Sequence, residues 1–139
     1  INHISPYLLI QGLSPLLKAS KYKNRLIINV SSAEGQFSYS NKTIYHPHTN
    51  MTKAALNMLT RTSAKEYARY GIYMNSVDVG WVSTGATESL RKVQFEQAYI
   101  PPLDSVDAAS RILHPIVSIL QEETIFIGQL LKNYQVEAW

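Results

Sequence analysis

Apolar residues fall along this chain in two patterns, some at the spacing of a helix and some in short continuous runs. Ile4, Tyr7, Leu8, Ile10, Leu13, Leu16 and Leu17 recur at helical spacing and predict a helix over about residues 2–20. Pro6 and Pro15 are expected to bend or split it. Leu26 to Val30 is a nearly unbroken, β-branched run, the pattern of a parallel strand covered on both faces. Residues 31–50 are polar and rich in turn formers, and a connection that long inside a compact domain is usually functional. Met51, Ala54, Ala55, Met58, Leu59 and Thr62 then mark one face of a helix running to about Tyr70, with Gly71 as its stop.

Ile72 to Val79 reads as a second buried strand, so residues 25–79 form a βαβ unit, which implies a parallel sheet. A polar stretch over 83–103 holds a short helix at about 88–99. Asp104 or Ser105 then caps a helix to about Leu120, which His114-Pro115 is expected to kink. The run 124–127 predicts a last short strand and 128–139 a tail. Ile1 opens the chain inside a helical pattern with no cap, so an upstream segment is expected.

Composition narrows the classes. The 139 residues suit one domain or part of one, and no run approaches the roughly 18 apolar residues of a membrane span. A net charge of +3 is too mild for a nucleic-acid surface, and the cluster Lys18, Lys21, Lys23 and Arg25 follows a helix end where cations are favoured. The absence of cysteine excludes disulfides and thiol nucleophiles and agrees with a cytoplasmic location. His46 and His48 form an HxH pair, but without a third ligand no metal site is assigned.

The order NVSSAEG, then TKAALNMLTRTSAKEYARYGIYMNSVDVGWVST, resembles the carboxyl-terminal half of a short-chain dehydrogenase/reductase, from Asn2 to about Gly128. The resemblance implies an α/β fold, the carboxyl-terminal half of a three-layer Rossmann-like parallel sheet. It makes residues 1–139 part of one domain whose amino-terminal, dinucleotide-binding half is absent. No GxGxxG or GxxxGxG turn occurs in the chain.

Carried over by position, the resemblance makes Asn2 the asparagine that holds a water near the catalytic lysine. Ser32 becomes the serine that bonds the substrate oxygen, and Lys53 the lysine that contacts the nicotinamide ribose and activates a tyrosine. Gly80, Val82 and Thr84 fall in the stretch that lines the nicotinamide, with Val79 where the family has proline. The tyrosine of the family's YxxxK motif is replaced by Thr49. A phenol, with a pKa of about 10, can be brought toward neutrality by an adjacent cation, whereas an aliphatic hydroxyl cannot. The long loop offers two substitutes: His48, as an imidazole, and Tyr45, folded back toward Lys53.

Two functions follow. The first is an NAD- or NADP-dependent oxidoreductase acting on a carbonyl or alcohol, with residues 83–103 as its lid. The cofactor is not expected to bind well to this half alone. The alternative is a catalytically inactive relative that serves as a structural or interaction subunit. The small residues Ala54 and Ala55 lie where family members pair, which implies a homo-oligomer.

Overall fold

Strand β1 (Arg25–Ser31) and strand β2 (Ile72–Asp78) lie side by side in parallel, pairing Ile27 with Met74 and Asn29 with Ser76. The computed structural model describes residues 1–82 and 87–139. Between the two strands runs the crossover helix α2 (Pro47–Ala68), completing the βαβ unit. It starts ahead of the predicted residue 51, because Pro47 supplies the fixed φ of a first helical position and lacks only an N–H that would be unpaired there.

Helix α1 (Ile4–Ala19) begins after Asn2, which the sequence reading had placed inside it, and runs on as one element past Pro6 and Pro15. It packs beside α2 over the sheet. Ile10, Ala64 and Met74 are buried together with Ile27, Leu59 and Tyr67 around them, and the hydroxyls of Ser14 and Tyr67 meet at 2.6 Å. Helix α3 (Glu88–Glu96) is shorter than the predicted 88–99, while helix α4 (Ser105–Leu120) has the predicted bounds. Asp104 caps α4, accepting from the backbone N–H groups of Val106 and Asp107, and Asp107 reciprocates onto the Asp104 N–H. Among the described residues, no helix is long and apolar enough to cross a membrane.

The carboxyl-terminal part corrects the sequence reading. Residues 124–127 form no strand, because side chains take up their backbone groups. The Ser118 hydroxyl donates to the Thr124 carbonyl at 2.9 Å, and the Asn75 amide donates to that of Phe126 at 2.8 Å. The expected tail instead forms strand β3 (Leu130–Lys132), parallel to β2, and strand β4 (Gln135–Glu137), antiparallel to β3. Asn133 and Tyr134 both have positive φ, 47° and 68°, the handedness a two-residue hairpin turn needs. The sheet order is β1-β2-β3-β4.

Two glycines predict opposite outcomes. A Cβ at Gly35 would stand 2.6 Å from the Lys53 carbonyl carbon, whereas one at Gly12 in α1 meets nothing within 4 Å. Gly35→Ala is expected to cost about 1–3 kcal/mol of stability. Gly12→Ala is expected to add about 0.5–1 kcal/mol, both read as shifts in denaturant midpoint.

Candidate active site

The carboxyl ends of β1 and β2 lie together, where open parallel sheets bind ligands. Strand periodicity points Ile27 and Asn29, with their partners Met74 and Ser76, to the face covered by α2. The Asn29 amide and the Ser76 hydroxyl both donate to the buried Thr60 hydroxyl, at 2.8 and 2.9 Å. That junction fixes α2 against both strands.

Ser32 leaves β1 in extended conformation and begins a 3-10 turn over Ala33–Gly35, its carbonyl accepting from the Gly35 N–H at 3.0 Å. The turn presses onto α2, where the Asn57 amide donates to the Gly35 carbonyl at 3.1 Å. Lys53, one turn earlier in α2, donates from Nζ to the Val30 carbonyl at 2.8 Å. The Ser31 and Ser32 hydroxyls are buried and, among the described residues, have no hydrogen-bond partner. An unmade hydrogen bond costs a buried hydroxyl about 1–3 kcal/mol, and of the two serines Ser32 is the one that lines a cleft.

Ser32 opens onto a cleft of about 680 Å³ that it shares with Tyr45, His46, Gly80 and Trp81. Gly80 has φ +78°, and its N–H donates to the Asp78 carboxylate at 2.8 Å. Asp78 is only 2% exposed and faces Lys132 at 3.4 Å. The rings of Trp81 and Tyr99 meet at 4.6 Å between centroids, and Val82 bridges to Leu103 just before α4. A second cleft, of about 500 Å³, is lined by Asn2, Val30 and Lys53.

The structure therefore groups Ser32 with Gly80 in one cleft and Asn2 with Lys53 in the other. Thr84 lies outside the described residues. Thr49 sits in the first turn of α2, its N–H given to the His46 carbonyl at 3.0 Å, and lines neither cleft. The two residues named as substitutes part company, since Tyr45 lines the larger cleft and His48 does not. His46, which the sequence reading considered only as half of a metal pair, lines it too. Its signal was the following proline, which makes it the cap of a helix that starts at Pro47. Among the described residues no three metal-ligating side chains cluster.

The sequence model of the family described as short chain dehydrogenase matches residues 1–94. A tropinone reductase homolog of Arabidopsis thaliana is 39% identical over 137 residues, which is 88% of this chain and 43% of the relative. An uncharacterized protein of Acanthamoeba polyphaga mimivirus is 34% identical over 121 residues, 83% of this chain and 25% of the relative. Among solved structures, NADPH-bound carbonyl reductase from chicken fatty liver superposes with a TM-score of 0.67 at 26% identity, over 99% of this chain and 54% of that one. The chain thus spans about half of that structure and less than half of the curated relatives.

Thr60→Val keeps the shape of the junction but leaves the Asn29 and Ser76 donors buried without an acceptor. It is expected to lower unfolding free energy by about 1–3 kcal/mol, with Thr60→Ser recovering most of the loss in a denaturant titration.

Proposed function

The chain belongs to the short-chain dehydrogenase family, and we propose that it is the substrate-side half of an NAD- or NADP-dependent oxidoreductase acting on a carbonyl or alcohol. The observation that carries this reading is Ser32, which lines a cleft at the ends of two parallel strands and whose buried hydroxyl has no partner among the described residues. A glycine-rich dinucleotide-binding half belongs to the proposal as a separate stretch of the complete protein. That half would be needed because these residues offer no such turn to hold a pyrophosphate.

The residues present suit the nicotinamide end of the cofactor. A lysine ammonium has three donors, and Lys53 gives one to Val30, which leaves two for a ribose diol. Asn2 stands on the same cleft, and Gly80, Val82 and Thr84 fall in the stretch of sequence that the family resemblance assigns to the nicotinamide. When bound, the cofactor supplies or accepts the hydride. Ser32 donates its hydrogen bond to the substrate oxygen and stabilises negative charge developing there. Self-association is included, because α1 leaves Leu8, Leu9, Leu13 and Leu16 exposed, and α2 leaves Met51 and Met58 exposed.

A second reading, an inactive relative kept as a structural subunit, draws on Thr49, which contributes no wall to either cleft. Turnover measured as NADH or NADPH consumption over a carbonyl panel separates the two. The oxidoreductase reading expects Ser32→Ala to lower kcat by about 10²–10³-fold. It expects Lys53→Met to weaken cofactor binding by about tenfold or more, the value of a charge-assisted hydrogen bond. An inert parent that gains turnover in Thr49→Tyr supports the subunit reading instead.

A further inference from the structure

Hydride transfer to a carbonyl leaves an alkoxide that must take up a proton, and Thr49 cannot supply one near neutral pH. We infer that His46 is the proton donor to the substrate oxygen, an assignment that rests on the oxidoreductase reading. The groups that share the larger cleft decide it by what each is already doing. Asp78 and Lys132 are paired with one another. Lys42 donates to the carbonyls of Ala33 and Glu34, and Glu34, as a carboxylate, has no proton to give. Tyr39 has the Lys42 and Lys132 ammonium groups at 6.0 and 5.4 Å from its ring centre, over the face, and Tyr99 meets Trp81 with its ring tilted at 56°. Tyr45 and His46, which line the cleft with Ser32, are left.

Between these two the chemistry favours the imidazole. A phenol needs an adjacent cation to work near neutrality, and each lysine within reach is engaged elsewhere: Lys42 by the carbonyls of Ala33 and Glu34, Lys132 by Asp78, and Lys53, in the other cleft, by Val30. An imidazole titrates near 6.5 in water with no such help. His46 is also the better anchored. Its φ of +57° is left-handed, Pro47 follows at the first helical position, and its carbonyl accepts from the N–H groups of both Thr49 and Asn50. Its ring makes no capping bond and stands between Tyr45 and His48, at 6.4 and 6.1 Å between centroids.

The step balances. The carbonyl carbon gains the hydride, the C–O π pair moves to oxygen, and the imidazolium N–H proton passes to that oxygen. Nicotinamide is oxidised, the alcohol leaves, and neutral His46 is reprotonated from water. Reduction consumes the protonated donor and therefore slows as pH rises, whereas alcohol oxidation needs the neutral imidazole and quickens.

The test is His46→Asn in the complete protein. Asparagine tolerates both the left-handed conformation and the cap position. Its melting temperature is therefore expected to hold or rise, while cyclohexanone reduction with NADPH or NADH falls by about 10²-fold or more and the decline with rising pH disappears. Tyr45→Phe, Tyr39→Phe and His48→Gln keep that decline. A readout without cofactor is the His46 Cε1–H resonance, assigned through His46→Asn, which moves when cyclohexanol is added to the wild type. Loss of the pH limb in a tyrosine variant or in His48→Gln, or its persistence in His46→Asn, overturns the assignment. A wild type inert towards every carbonyl defeats the oxidoreductase reading, and an unmoved His46 resonance then removes His46 from the cleft chemistry as well.

Discussion

The site depends on one buried hydroxyl, that of Thr60, which receives hydrogen bonds from Asn29 on β1 and Ser76 on β2. All three residues are buried, so each unmet bond would carry the desolvation cost of a polar group away from water. An apolar layer alone would hold α2 loosely along the strands, since Ile27, Met74, Leu59 and Ala64 could pack in neighbouring registers. A polar junction inside that layer selects one, and in a sheet a slip by one residue would turn every side chain to the wrong face. Lys53, two turns before Thr60, thereby meets the carbonyl of Val30.

Gly35 supplies the matching constraint on the loop. Its backbone lies so close to α2 that no side chain fits, and Asn57 closes the contact by taking the Gly35 carbonyl. The chain between Gly35 and His46 is therefore fixed at both ends, by the turn at Gly35 and by the start of α2. A long loop pinned in this way can carry Tyr45 and His46 to the rim of the Ser32 cleft without any of its middle being regular.

The sequence disclosed the parts whose signal is local. The apolar run at 26–30, the periodicity of α2 and the Asp104 cap were each legible because one element's own residues carry them. The run Thr124 to Ile127 misled for the complementary reason. It has the composition of a strand, but Ser118 and Asn75, distant in sequence, capture its carbonyls. The hairpin after it was hidden because its turn is Asn133-Tyr134 rather than an Asn-Gly pair. In the site, spacing could align Ser32 and Lys53 with a known pattern. It could not assign them to separate clefts, which depends on where the helix crosses the strand ends.

The start of α2 is the place where local and global demands disagree. A cap position is best filled by Ser, Thr, Asp or Asn, whose side chain takes a free helix N–H, and an alternative residue forgoes about 1 kcal/mol. His46 occupies that position, makes no such bond, and holds a left-handed φ that side chains other than Gly, Asn and Asp seldom adopt. Packing does not require it, because the residue is exposed. Choices that cost local stability without a packing return concentrate where chemistry is done. Here the residue that forgoes capping lines the same cleft as Ser32. A threonine at position 49 is then tolerable, since the group that would make a tyrosine there indispensable, a proton donor at the substrate oxygen, is supplied from one turn earlier.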